Sequence, residues 1–196
     1  MKKLLFSLIA LGLIISAQAQ DGNSGKKKTS IALRFNALDF GTAQKVQNSS
    51  IGSVLNAKKW GQLAEATNTF GLNYTVEYAN QVDLYTNMDI SITRKPDYKP
   101  SAFVSSTEYF YASFETGVNV KMFKGDYPVN PFVSAGLGIR SYALRNYSAY
   151  APVGLGLQIK SFKGSNLNVL LNYSTKMSKS HTASYNYGIS YSFPLN

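Results

Sequence analysis

The single histidine, His181, is where nucleophilic chemistry would have to start. An imidazole can take the proton of a neighbouring hydroxyl and turn it into a nucleophile, and Ser178, Ser180 and Ser184 flank it. The run His181-Thr-Ala-Ser184 sits in a polar stretch between two amphipathic segments, so it reads as an exposed loop histidine. A second candidate is the carboxylate pair Asp89 and Glu115, the residue type that shares acid and base duty. Both fall on the polar side of amphipathic segments. The chain has no cysteine. That removes thiolate nucleophiles, thiolate metal sites, disulfides and a cysteine-linked lipid anchor together. No phosphate loop, metal-ligand cluster or dinucleotide fingerprint is present. The expectation is a chain without catalytic residues, metal or cofactor.

The elements that carry these residues alternate with a period of two. In a strand, successive side chains point to opposite faces. The last segment, Tyr185–Phe193, puts Tyr185, Tyr187, Ile189, Tyr191 and Phe193 on one face and Asn186, Gly188, Ser190 and Ser192 on the other. The same pattern predicts strands over Thr29–Phe40, Thr69–Ala79, Val82–Thr93, Tyr109–Phe123, Pro131–Arg140, Tyr150–Phe162 and Leu167–Thr175. The connections between them alternate in length. Asn80-Gln81, Lys124–Asn130 and Lys163–Asn166 are short; Gly41–Asn68, Arg94–Glu108, Ser141–Ala149 and Lys176–Ser184 are long.

Residues 1–19 read as a cleaved signal peptide. Lys2 and Lys3 precede an apolar run, Leu4–Ile15, and Ala17-Gln18-Ala19 is a small-x-small cleavage site. No later stretch approaches the ~18 apolar residues of a transmembrane helix. Residues 20–28 form a polar leader, 29–193 the barrel domain and 194–196 a tail.

Eight strands with all long connections at one end predict an antiparallel up-and-down transmembrane β-barrel, all-β, with four long outer loops and three short periplasmic turns. The strands run to about 10–13 residues, long enough for the ~25 Å apolar band. Aromatics gather near both strand ends: Phe40, Phe70, Tyr109, Phe110, Tyr150 and Tyr185 on the long-loop side, Tyr78, Phe123, Tyr127, Phe162, Tyr191 and Phe193 on the turn side. These predict two interfacial girdles. The interior of an eight-stranded barrel is just wide enough for side chains. The inward positions predict a lumen ion network: Arg34, Asp89 and Glu115 near mid-height, with Glu77, Asp83, Lys121 and Lys160 near the turn end. Unpaired buried charge is costly, so the network is expected to pair up and plug the lumen. The formal net charge is +10. Most of the excess falls in the long connections, where Lys45, Lys58, Lys59, Arg94, Lys95, Lys99, Arg145 and Lys179 are candidate contacts for anionic phosphates. Arg140 and Lys176 count with that end. No compact basic motif points to nucleic acid.

The signal peptide, the eight strands and the closing Tyr191-Ser-Phe193 strand resemble the small OmpA/OmpX-type outer-membrane barrels, and Pro131-Phe-Val-Ser-Ala-Gly-Leu-Gly-Ile139 resembles barrel domains common in Bacteroidetes-type bacteria. The resemblance covers nearly all of the chain after residue 19. It implies a multi-pass β-barrel of the bacterial outer membrane, in contact with its lipid and with lipopolysaccharide. It also implies that the barrel-assembly machinery reads the final strand, with Tyr187, Tyr191 and Phe193 as the closing signal. Pro194-Leu195-Asn196 departs from the family pattern, which ends at the aromatic. Enzymatic barrels of this size act on lipid A through a His with a nearby Ser, and the deacylases carry His-x-Ser on a strand. The spacing here fails. The leading expectation is a non-enzymatic structural or surface-interaction protein. Three alternatives remain: an accessory subunit of an envelope secretion or assembly complex, a narrow ion-conducting pore, and a lipid A-modifying enzyme.

Overall fold

The computed structural model describes residues 28–40, 42–43, 66–94, 108–124, 127–142, 146–177 and 183–195. They form eight strands: β1 Thr29–Asp39, β2 Thr67–Ala79, β3 Val82–Arg94, β4 Glu108–Lys121, β5 Val129–Tyr142, β6 Asn146–Lys160, β7 Asn166–Lys176 and β8 Ser184–Leu195. Each strand pairs antiparallel with its sequence neighbour, and β1 pairs with β8, so the sheet closes into a barrel in the order of the chain. Closure leaves no strand edge to be satisfied by another chain. This is the eight-stranded antiparallel barrel that the alternation predicts.

The register fixes the shape. Directly opposed partners, followed once around the wall, run Thr29, Val76, Leu84, Val118, Ala135, Val153, Tyr173, Tyr185 and back to β1 at Asp39. The circuit returns ten residues further along β1 than it began. Eight strands with that stagger tilt by roughly 40°. At ~3.3 Å per residue, a strand of 13 residues such as β3 then rises about 33 Å along the axis, enough to cross the ~25 Å apolar band of an outer membrane. An even stagger also keeps every inward residue inward all the way round, so one alternation serves the whole wall.

The outward face is large and apolar. Leu33, Met88, Ile90, Ile92, Leu137, Val153, Leu155 and Ile189 are all exposed. Among the described strand side chains the one charge of outward parity is Asp39, at the long-loop end of β1, and it is buried. The inward face is the buried one and is mostly polar: Arg34, Asn36, Asp83, Asn87, Asp89, Glu115, Ser134, Arg140, Asn172 and Asn186. A water-soluble sheet would bury the other side.

The short ends are tight. Between β6 and β7, Ser165 N donates to the Phe162 carbonyl across Lys163 (φ 56°) and Gly164 (φ 78°). Two consecutive left-handed residues give the primed turn whose twist matches a hairpin. Aromatic pairs sit toward both ends of the barrel: Tyr173–Tyr185 at 5.1 Å on the long-loop side of the outward face, Tyr191–Phe193 at 5.0 Å on its turn side, and Phe123–Tyr127 at 5.1 Å in the β4–β5 connection. Two residues expected in the girdles are elsewhere. Phe40 and Tyr150 are buried inside the barrel, because both fall on the inward parity.

β8 does not stop at Phe193. Pro194 and Leu195, expected as a tail, continue the ladder opposite Ser30 and Thr29. Pairing to β7 ends at Ser192, opposite Asn166, so the missing N–H of Pro194 interrupts no bond on that side. This is an edge position, where proline is tolerated. Residues 1–19, expected to be a signal peptide, and residues 20–27 of the expected leader lie outside the described residues.

Candidate functional site

The only space in which this chain gathers chemically able side chains is the lumen, among the described residues. It is built by a recurrent device. Where an inward position is glycine, residues from the two flanking strands meet over it. Gly71 on β2 lies between Arg34 on β1 and Asp89 on β3. A Cβ at Gly71 would collide with the Asp89 carboxylate. With no side chain there, the Arg34 guanidinium reaches the Asp89 Oδ2 at 3.7 Å. Asn36 ties the pair together: Arg34 Nη2 donates to its Oδ1 at 3.3 Å, and its Nδ2 donates to Asp89 Oδ1 at 3.0 Å and Thr69 Oγ1 at 3.2 Å.

Gly138 on β5 repeats the device. It lies between Glu115 on β4 and Tyr150 on β6, and a Cβ there would meet the Tyr150 ring at 2.5 Å. Tyr150 OH donates to Glu115 Oε2 at 3.1 Å across the gap, and Asn87 Nδ2 donates to Oε1 at 3.0 Å. Asn87 in turn accepts from Asn73 Nδ2 at 2.6 Å, and Asn73 accepts from Thr75 Oγ1 at 2.8 Å. Glu115 is therefore held by hydrogen-bond donors that carry no charge. Tyr85 fills the space over Gly117 and Gly136 and accepts from Ser134 Oγ at 3.4 Å, while Phe132 lies over Gly156.

The turn end is closed by an ion pair, Lys121 Nζ to Asp83 Oδ1 at 2.9 Å. Glu77 stands directly opposite Asp83 on β2, next to a bulge at Glu77–Ala79. Lys160 is exposed at the last rung of β6. Between this end and the Arg34 layer lies a cavity of about 50 Å³, lined by Asn73, Asn87, Asn119, Gln158, Asn168 and Ser190 among others. It has room for a few waters and no organic substrate.

The outer end is closed differently, by residues that the sequence reading placed elsewhere. Arg140, counted with the outer-loop bases, is buried in the lumen. Its Nη1 donates to Ser184 Oγ at 3.0 Å, and its guanidinium lies 4.9 Å from the Tyr150 ring centre and 5.7 Å from that of Phe40. Phe40 packs on Tyr142 at 6.4 Å and Tyr142 on Tyr111 at 5.4 Å, with Leu38 in the same buried cluster. Cation–π contacts of this kind gain strength away from water. The signal that could have found Arg140 is its even number on a strand whose even positions face inward. Charge balance points the same way: with Arg34 and Lys121 it makes three cations for the acids Asp83, Asp89 and Glu115.

Tyr187, Tyr191 and Phe193 lie on the outward face of β8. Of the outer-loop cations, Arg94 ends β3 opposite Glu108. Lys45, Lys58, Lys59, Lys95, Lys99, Arg145 and Lys179 lie outside the described residues, as does His181. Ser184, the hydroxyl three residues beyond it, points into the lumen at Arg140. No group of His, Cys, Asp or Glu able to hold a metal ion occurs among the described residues.

No protein-family profile and no curated protein matches the chain. Solved structures do. Neisserial surface protein A superposes with a TM-score of 0.57 at 10% identity, over 89% of this chain and 100% of that one. The attachment invasion locus protein Ail of Yersinia pestis superposes with a TM-score of 0.50 at 13% identity, over 88% of this chain and 100% of that one. Ail in complex with the heparin analogue sucrose octasulfate gives 0.52 at 13% identity, over 87% and 100%. At these identities the likeness is one of fold: this chain has the closed eight-stranded barrel architecture of known outer-membrane proteins.

Proposed function

We propose that this protein is a non-enzymatic β-barrel of the bacterial outer membrane, with a plugged lumen and basic outer loops that meet lipopolysaccharide or another polyanion at the cell surface. The observation that carries the reading is the outward face. Between the strand ends it presents only uncharged side chains, most of them large and apolar, while every buried ion pair among the described residues lies inside. A charge on the lipid side of a barrel costs about 2–4 kcal/mol at the bilayer midplane, so a charge-free outward band fits lipid as its solvent.

The lumen supports a plug over a pore or an active site. Salt bridge, hydrogen-bonded layer and aromatic layer follow one another from the turn end to the outer end, and the one chamber described between them is too small for a substrate. The surface role rests on the loops. Without Arg140, the four long connections still hold nine bases against three acids. A barrel of the same fold has been solved with a sulfated ligand, and clustered Lys and Arg suit phosphate or sulfate groups alike.

The test is expression of the full chain in a Gram-negative host, followed by membrane separation and planar-bilayer recording of the purified protein. The expected result is recovery in the outer membrane, a different gel mobility before and after heating, and no steady conductance. Recovery as a periplasmic protein without detergent would overturn the membrane reading, and a steady conductance would overturn the plug. Lipopolysaccharide binding that weakens with salt is expected; a stoichiometric protein partner in gently solubilised membranes would favour an accessory subunit instead.

A further inference from the structure

The inward positions of β7 and β8 differ from the rest of the lumen. From the turn end they pair as Asn166 with Ser192, Asn168 with Ser190, Leu170 with Gly188, Asn172 with Asn186 and Ser174 with Ser184. Charged and aromatic blocks come from the other strands; this seam is small and polar. The turn-side cavity follows it upward as far as Leu170 and Gly188. The next rung is Asn172 and Asn186.

That rung has orphaned groups. Asn172 is 1% exposed and Asn186 6% exposed. Neither the amide nitrogen nor the carbonyl oxygen of the Asn172 side chain has a hydrogen-bond partner in the protein, and the same holds for the carbonyl oxygen of Asn186. In folded proteins buried polar groups almost always find a partner, protein or water, because one left alone is costly. The two residues are direct cross-strand partners, which sets their Cβ atoms about 5 Å apart. The Asn172 amide lies over Gly154 on β6, where a Cβ would collide with its Oδ1.

We infer that Asn172 and Asn186 form a binding site for an ordered water molecule, the innermost of a hydrated seam. The chemistry selects the ligand. Two acceptors and one donor are open, so the occupant must donate twice and accept once. Water does this with both hydrogens and one lone pair. An anion would satisfy the Asn172 nitrogen and leave both oxygens orphaned; a metal cation would leave the nitrogen orphaned. Swapping nitrogen and oxygen of Asn172 leaves the count unchanged. The water links the chamber below to the Ser174–Ser184 rung above, where Arg140 and the aromatic layer end the seam. The wet part of the plug thus extends from the turn-side chamber up the β7–β8 seam.

The test uses the full chain folded in detergent micelles, with nitrogen-15 labelling. The side-chain NH₂ signals of Asn172, assigned from their connectivity and by their loss in Asn172→Leu, are expected to show an Overhauser contact with the sign of a long-lived water. Asn186→Leu, which removes one of the two acceptors, is expected to weaken or abolish it. No such contact in the native protein, or one unchanged in Asn186→Leu, overturns the inference. A second reading is the urea midpoint of Asn172→Leu. A lower midpoint supports the site, since the Asn186 oxygen loses its bridge. A higher one overturns it, because an apolar replacement then only relieves a dry, unsatisfied amide.

Discussion

Replacing Arg34 by methionine removes the cation of the central layer at little change in length. Arg34 is 6% exposed and serves both Asp89, at 3.7 Å, and Asn36, at 3.3 Å. The change leaves the Asp89 carboxylate buried with only uncharged side-chain donors, Asn36 and Ser113. Removing one partner of a buried ion pair costs about 3–5 kcal/mol. The long Arg34–Asp89 distance and the amide donor that stays behind place this case at the lower end, about 3 kcal/mol. The pair itself is worth much less than its breakage, since two apolar residues of similar volume replace a buried ion pair at little net cost. The double variant Arg34→Met/Asp89→Leu is therefore expected within about 1 kcal/mol of the native protein, because Asn36 keeps its bond to Thr69. Urea unfolding in lipid vesicles, read by the mobility difference between folded and unfolded chain in unheated gels, gives both numbers. A single variant as stable as the native chain, or a double variant no better than the single, would refute the pairing over Gly71.

Gly138→Ala puts a methyl group into the Tyr150 ring and is expected to destabilise the barrel by about 1–3 kcal/mol; combined with Tyr150→Ala, the added cost of the methyl should largely vanish, as the same urea titration would show. Val153→Arg, on the outward face midway along β6, is expected to lower folding stability in vesicles by about 2–4 kcal/mol, and a smaller loss in thick than in thin bilayers would count against a lipid-facing position. Replacing Lys58, Lys59, Lys95 and Lys99 together by glutamine should weaken binding to lipopolysaccharide and flatten its salt dependence, measured by calorimetry at two ionic strengths, without changing the urea midpoint. Phe40→Ala should leave the protein in the membrane but loosen the outer closure, seen as faster hydrogen exchange of the Arg140 side chain.

What the sequence made legible followed from parity. Alternation in Tyr185–Phe193 and its seven counterparts assigns each side chain a face, and the unequal loop lengths say which end is which. These are local properties, so they survive without any knowledge of pairing. Which lumen charges meet is a different matter. Arg34 finds Asp89 because both stand opposite Gly71, and Glu115 finds Tyr150 because both stand opposite Gly138. Those relations depend on register, which composition does not reveal. Arg140 and Phe40 share an inward parity that their place next to a long connection masks: β5 runs on past Arg140 to Tyr142, and Phe40 follows the last residue of β1 and packs inside the barrel mouth. Pro194 looked like a terminator, yet it occupies a rung whose far side has no partner to lose. Apart from Arg94, which ends β3, the outer-loop cations fall outside the alternating segments, so the sequence supplies their charge and nothing about their arrangement.

The account rests on one face of the wall meeting lipid all the way round. Because the chain has no cysteine, single cysteines at Leu33, Leu72, Val153, Leu171 and Ile189 can each carry a fluorophore without touching the lumen. The decisive measurement is quenching of those fluorophores by nitroxides attached at graded depths along the acyl chains of the host vesicle. The account predicts strong quenching at all five sites, deepest for those near mid-strand. Two or more sites quenched instead by a water-soluble agent, and untouched by the lipid nitroxides, would contradict it.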